Sequence, residues 1–382
     1  MRREIFSEDH ERFREQFRRF AQKEIEPKIA TWNAQGMSDR DAWRRAGAAG
    51  FLGANAPVEY GGAGGDFLYD AIIMEEMAWI RAHAMMISLH SDICMPYLTT
   101  YGSPEQHRKY LPGAIAGDLL LGIAMTEPGT GSDLANVQTR ALRHGDHYVL
   151  NGAKTFISNG QIGDLFIVVA RTDPDADPPH AGISLLLVEA TAPGFVRGRK
   201  LDKLGLRGQD TSELAFEDCV VPTANLLGSE GHGFKMLMEK LQQERLCIAV
   251  ASLASSQRAL HDTIEYVKQR HAFGQPLAAF QNTQFTLAEL ATEVEIGQAF
   301  IDKLLVAHVR GEEIVKEVSM AKWWTTDLQK RLTSKCLQLH GGYGFMHEYP
   351  IATDYADAAV QTIYAGANEI MKVIIARRMG LG

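Results

Sequence analysis

The sequence predicts an α+β protein in three successive parts. These are an N-terminal helical domain over residues 1–120, a middle β domain over 121–230 and a C-terminal helical bundle over 231–382. Three observations predict it. Apolar residues before about Leu119 recur at helical spacing, as Phe6, Phe13, Phe17 and Phe20 do. From there to about Gly228 the apolar runs are short, strand-like and separated by Gly, Asn or Pro. From Phe234 to Arg270 no proline interrupts a long helical pattern, and further helical segments follow to Ala376.

The elements follow in order. The first helix carries the four phenylalanines on one face, Arg and Glu on the other, and Pro27 marks its end. A second helix covers Asp41–Ala49. Tyr60–Gly65 is a glycine-rich connection, since it is not GxGxxG and no strand precedes it. Helices resume over Tyr69–Ile80 and Ala84–Thr100, and Ser103-Pro104 caps the next one. Strands are expected at Thr155–Ile157, Leu165–Ala170, Ile183–Val188 and Leu214–Phe216. Asp173–His180 is a surface loop, and Ala321–Leu339 is a helix stopped by Gly341-Gly342.

Composition excludes several function classes. The chain has 382 residues, 46% hydrophobic and 23% charged, the balance of a soluble globular protein. A net charge of −8 argues against nucleic acid as the main partner. No apolar run is long enough to span a membrane and no secretory leader is visible, so a cytoplasmic location is expected. The four cysteines form no CxxC pair, the histidines no HExxH, and no metal site is expected. Neither GxGxxG after a strand nor GxxxxGK[ST] occurs, which disfavours Rossmann nicotinamide enzymes and P-loop NTPases.

Within Phe234–Arg270, Leu237, Leu241, Glu244 and Ile248 share one helix face. A carboxylate thus sits in an apolar stripe, where carboxylates are rarely buried without a partner or a task. Taken alone, Glu244 fits a buried ion pair or a wet edge of the stripe better than a catalytic group. Four further segments have the composition of a ligand site. They are Ala124–Asp133 (AMTEPGTGSD), Asn151–Gly160 (NGAKTFISNG), Arg270–Gly274 with Phe280-Gln281, and Gln338–Gly344 with Ile363–Ile370. Individually these read as turns, a hairpin and helix ends.

Together, and with Lys203–Pro222 (KLGLRGQDTSELAFEDCVVP), these segments resemble the acyl-CoA dehydrogenase family over Phe6–Arg377. The C-terminal run Gln338–Lys372 looks most like the long-chain type, and the base position like the long-chain and isovaleryl types. The resemblance implies the family fold, with a β-barrel-like middle domain. It also implies noncovalent FAD and an acyl-CoA substrate dehydrogenated between its α and β carbons, as in fatty-acid β-oxidation. An electron-transferring flavoprotein would be the electron acceptor, and the protein a homotetramer built as a dimer of dimers.

By the same resemblance, Met125, Thr126, Phe156, Ile157 and Ser158 would contact the flavin. Arg270, Phe273, Gln281, Gln338, Gly341, Gly342, Asn368 and Glu369 would hold the rest of the cofactor, partly across a subunit boundary. Ser132, Gln242, Arg245, Tyr364, Ala365 and Gly366 would meet the substrate. Many members carry their catalytic Glu where this chain has Ala365; the long-chain and isovaleryl types place it directly before an Arg, as in Glu244-Arg245. Glu244 is therefore the expected α-proton base. An oxidase or monooxygenase of the same fold, or a non-catalytic acyl-CoA binder that lost its base, are the alternatives.

Overall fold

The computed structural model describes residues 3–381. Six helices open the chain: α1 (Glu8–Phe20), α2 (Ile29–Gln35), α3 (Arg40–Ala48), α4 (Phe67–Trp79), α5 (Met95–Tyr101) and α6 (Pro104–Ala116). Ser7 caps α1 through a reciprocal box with His10, and Ser103 caps α6 the same way with Gln106. Pro27 does not end the first helical run. It occupies the first turn of a short 3-10 segment, where its missing N–H costs nothing, and the chain continues as α2. The helix expected over Ala84–Thr100 also differs. Its first residues form a turn, and Leu89–Cys94 are π-helical before α5 begins.

The middle region is one eight-stranded sheet. Its strands are β1 (Leu121–Ala124), β2 (Arg140–His144), β3 (His147–Ser158), β4 (Leu165–Arg171), β5 (Ile183–Glu189), β6 (Phe195–Lys200), β7 (Thr211–Pro222) and β8 (Leu226–Leu227). The order is β6-β7-β3-β2-β4-β5-β8, with β1 lying parallel on β4. The sheet curls around a core that includes Tyr148, Leu150, Ile157, Phe166 and Phe216. Its end strands β6 and β8 are not paired to each other. β4 and β5 are buried on both faces, and so read as continuous apolar runs rather than alternating ones.

The third part is α7 (Gly233–Gln269), a small hairpin β9 (His271–Ala272) and β10 (Gln275–Pro276), then α8 (Gln281–Val309), α9 (Val315–His340), α10 (Pro350–Gln361) and α11 (Asn368–Arg378). α7 spans 37 residues, about 55 Å at 1.5 Å per residue. It packs against α4 and α9, so it is shared by the N-terminal and C-terminal helical parts. Both α7 and α9 carry buried hydroxyls that bond within their own helices: Ser256 to the Ser252 carbonyl, Thr263 to Ala259, Thr325 to Ala321 and Thr326 to Lys322. Each hydroxyl is thereby satisfied, and the small side chains let the two helices approach. Among the described residues no helix is long and apolar enough to cross a membrane, and all four cysteines are buried free thiols.

Candidate active site

α7 carries Glu244 and Arg245 into the interior, and both are 5% exposed. Among the described residues Glu244 has no ion-pair partner, and its one hydrogen bond comes from the Tyr97 hydroxyl of α5, which donates to Oε1 at 2.6 Å. Burial pushes the Glu244 carboxyl up to about 7, against the opposing effects of that bond and of Arg245 and Lys240. A carboxyl held there is half ionised at neutral pH, as a general base should be. Arg245 Nε is buried without a hydrogen-bond partner among the described residues, a donor left free in the interior.

One helical turn beyond Glu244, Cys247, Ile248 and Ala251 line a narrow cavity of about 60 Å³. Its other walls are methionines and small residues of α4 and of the turn before the π segment, among them Met74, Met77, Met85 and Met86. Unbranched, flexible thioethers suit an apolar guest of variable shape. Tyr364 and Gln361 close one side, joined by a 2.7 Å bond from the Tyr364 hydroxyl to Gln361 Oε1.

Tyr364 leads into Ala365 and Gly366, which take φ +50° and +90°. A left-handed alanine is strained, so something must hold the turn. Lys322 of α9 does so: fully buried, it donates to the Gly366 carbonyl at 2.7 Å and to Asn368 Oδ1 at 3.1 Å. Burial, with Arg245 nearby, lowers the Lys322 ammonium to about 7.

The middle sheet contributes a platform. A bulge in the β3–β7 ladder between Lys154 and Ile157 turns the strand there. Phe156 takes φ +60° and stands 67% exposed, while Ile157 turns inward, 2% exposed. The Thr155 N–H donates to the Thr126 carbonyl at 2.9 Å, and Lys154 Nζ to the Met125 carbonyl at 3.0 Å. Lys154 is also paired with Glu127 at 2.8 Å, whose carboxylate accepts the N–H groups of Gln138 and Thr139. Met125, Thr126 and Phe156 are thus laced into one surface. Ser158 Oγ accepts from Gln209 Nε2 at 2.5 Å. The end of β3 is tied to the π segment through β1: Asn159 Nδ2 donates to the Leu121 carbonyl, and the Leu121 N–H to His90 Nδ1. Ser132 lies exposed just past the tight turn Glu127–Thr130.

At the far end of α7, Arg270, Gln338, Gly341 and Gly342 border one groove of about 620 Å³. The Arg270 guanidinium lies over the Tyr343 ring at 5.2 Å and, among the described residues, has no carboxylate partner. Gly341 takes φ +60°, and nothing lies within 4 Å of where a Cβ on Gly341 or Gly342 would project. An unpaired guanidinium facing open glycine backbone fits the pyrophosphate of FAD. Phe273 is 97% exposed at the hairpin tip, and Gln281 is exposed at the start of α8.

Three expected contacts are corrected. Ile157 packs in the sheet core, so its side chain cannot lie on a flavin. The Asn368 side chain is buried and bonded to Lys322, Thr326 and Trp323, while the neighbouring Glu369 is exposed. Gln242 clamps the α8–α9 connection, donating to the Glu312 carbonyl and accepting from the Ile314 N–H, which occupies the group expected to meet substrate. Tyr97, Lys154 and Lys322 were not anticipated. For the two lysines the only signal was a charge within an otherwise apolar, inward-facing pattern.

Comparison with known proteins follows the same outline. The family models for the N-terminal, middle and C-terminal domains of acyl-CoA dehydrogenase match residues 7–118, 122–219 and 231–380. The chain is 48% identical over 377 residues to the mitochondrial long-chain specific acyl-CoA dehydrogenase of Sus scrofa, covering 99% of this chain and 88% of that one. It is 38% identical to an acyl-CoA dehydrogenase of Bacillus subtilis, over 95% and 96% of the two chains. The crystal structure of an acyl-CoA dehydrogenase from Geobacillus kaustophilus superposes with a TM-score of 0.98 at 50% identity, over 99% and 100% of the chains.

Proposed function

The chain belongs to the acyl-CoA dehydrogenase family, and we propose that it dehydrogenates an acyl-CoA thioester to the trans-2-enoyl-CoA with Glu244 as the α-proton base. It is an oxidoreductase, and its cofactor is FAD. The observation that carries the proposal is the buried Glu244 carboxylate, without an ion-pair partner among the described residues and one helical turn from a methionine-lined cavity.

The thioester lies with its acyl chain in that cavity and its carbonyl oxygen toward the Tyr364-Ala365-Gly366 turn. The Ala365 N–H, held by the left-handed backbone and by Lys322 behind it, donates to the oxygen as it gains charge. Ala365 cannot take a proton, so the turn supplies polarisation and α7 supplies the base. Glu244 removes the α-proton once the acyl chain has displaced water, with its affinity for the proton already raised by burial. FAD, when bound, would supply the acceptor for the hydride that leaves the β-carbon. Phe156, Met125 and Thr126 would hold the flavin ring, and Arg245 Nε would donate to the substrate beyond the thioester.

Glu244 and Arg270 are 26 positions apart along unbroken helix, about 39 Å. A flavin beside Glu244 therefore cannot place its own adenine end in the Arg270 groove of the same chain. That groove would then serve the cofactor of a second copy, which supports an assembly of at least two chains; the family resemblance extends this to a homotetramer, a dimer of dimers. Exposed Phe273, Phe285, Phe345 and Ile363 in the C-terminal part supply apolar surface for such contacts. Electrons leave to an electron-transferring flavoprotein.

Glu244→Gln tests the reading. The variant should bind FAD and acyl-CoA, while anaerobic flavin reduction by acyl-CoA falls at least about a hundredfold, the low end for removing a general base. Near-normal reduction would refute the base. Rapid reoxidation of the reduced protein by oxygen alone would refute the dehydrogenase in favour of an oxidase.

A further inference from the structure

We propose that Tyr97 is a positioning residue for this reaction: its phenol fixes the Glu244 carboxylate through Oε1, leaves Oε2 as the oxygen that takes the α-proton, and sets the pH above which it can. The inference rests on Glu244 being the base.

Tyr97 is fully buried, and its hydroxyl makes no other hydrogen bond among the described residues. The bond to Glu244 is short, 2.6 Å, as expected when a phenol meets a carboxylate. Glu244 Oε2 accepts no hydrogen bond from any described residue. One carboxylate oxygen is therefore committed and the other is available.

The chain builds this pair by a local irregularity. Leu89–Cys94 is π-helical, a wider turn that shifts the phase of everything after it. The segment is pinned at both ends. His90 is buried, its Nε2 at 2.9 Å from the Ala114 carbonyl and its Nδ1 accepting from the Leu121 N–H; the Asp92 carbonyl accepts from Gln243 Nε2. The last bond comes from the residue before Glu244, so π segment and base are registered to one another. The wide turn then presents Tyr97 to α7 at the level of Glu244.

Other titratable groups surround the pair and do not replace the bond. Lys240, Arg245 and Cys247 lie on α7 itself, and Cys94 in the π segment. Asp70 of α4 and Asp92 sit behind Cys247, both carboxyls pushed up by burial. Lys322 of α9 stands beside Arg245. Of all these, Tyr97 alone donates a hydrogen bond to the carboxylate.

The test is Tyr97→Phe, which keeps the ring and removes the donor, read in the pH profile of kcat/KM. Losing the one donor to the anion should move the acid limb upward by about one pH unit, the size of a hydrogen bond to a charged group. The plateau rate at high pH should stay within about tenfold. A lowered rate with an unmoved limb would overturn the proposal, because a purely structural tyrosine changes rate without moving that limb. Should Tyr97→Phe fold poorly, a fluorotyrosine at 97, a stronger donor, should move the limb the other way; no movement would again overturn it. Glu244→Gln, measured alongside, separates the two readings. If that variant is inactive and the Tyr97 limb is unmoved, only the role of Tyr97 fails.

Discussion

α5 and α7 are joined by two tyrosine–glutamate pairs, and they differ in one respect. Tyr97 donates to Glu244 at 2.6 Å; a turn further along α5, Tyr101 donates to Glu239 Oε2, also at 2.6 Å. The first pair is buried, one helical turn from Cys247 and Ile248 in the wall of the methionine-lined cavity, whereas the second is at the surface. Identical residue types at identical distance therefore give a raised, unscreened carboxyl in one case and a solvated surface contact in the other. The hydrogen bond is not what raises the Glu244 carboxyl. Removal of water is, and the bond only moderates it.

The most direct way to break the comparison is to neutralise each glutamate. Glu244→Gln should lower flavin reduction at least about a hundredfold, roughly 2.7 kcal/mol of barrier, whereas Glu239→Gln should leave it within about twofold. Anaerobic stopped-flow reduction of both variants checks this. Equal losses would mean that burial is not the deciding difference.

Stability gives the next largest effect, and its sign follows from the direction of the Glu244 shift. A carboxyl raised in the folded state keeps its proton where the unfolded chain has lost one, so stability falls as pH rises between the two values. For Glu244 these are 4.5 and about 7, and at 1.36 kcal/mol per pH unit the cost reaches about 3 kcal/mol above pH 7. Glu244→Gln should therefore match the parent near pH 4 and exceed it increasingly up to pH 8, in thermal unfolding of protein with equal FAD content.

Arg270 sharpens the contrast from the other side, being an exposed charge without a carboxylate partner among the described residues, proposed to meet FAD. Arg270→Ala should weaken FAD retention by about 10–100-fold, as loss of a charge-assisted bond of roughly 1.5–3 kcal/mol. FAD titration of the apoprotein measures it, and unchanged affinity would remove Arg270 from the site. Smallest is Tyr101→Phe, which should cost about 1 kcal/mol of stability at most and leave the acid limb of kcat/KM in place. A shifted limb in that variant would show the surface pair coupled to the base.

Sequence alone determined the α, β, α succession, because helical and strand periodicities are local properties of the chain. It also determined that a carboxylate would lie in an apolar stripe of α7 and that Ala365 could not act as a base. Its strand assignments were short because β3 and β7 bulge and β6 alternates weakly, which hides period two. Tertiary structure alone decided that Glu244 meets a phenol rather than a cation. Tyr97 is 147 residues away, and it faces α7 only because a π turn intervenes, a feature no apolar period encodes. It likewise decided that Ile157 turns inward while Phe156 turns out, that Asn368 and Gln242 are bound internally, and that Lys322 lies behind the Ala365 turn. Each depends on which distant backbone a side chain meets. That is fixed by packing and by the need to satisfy every buried polar group at once.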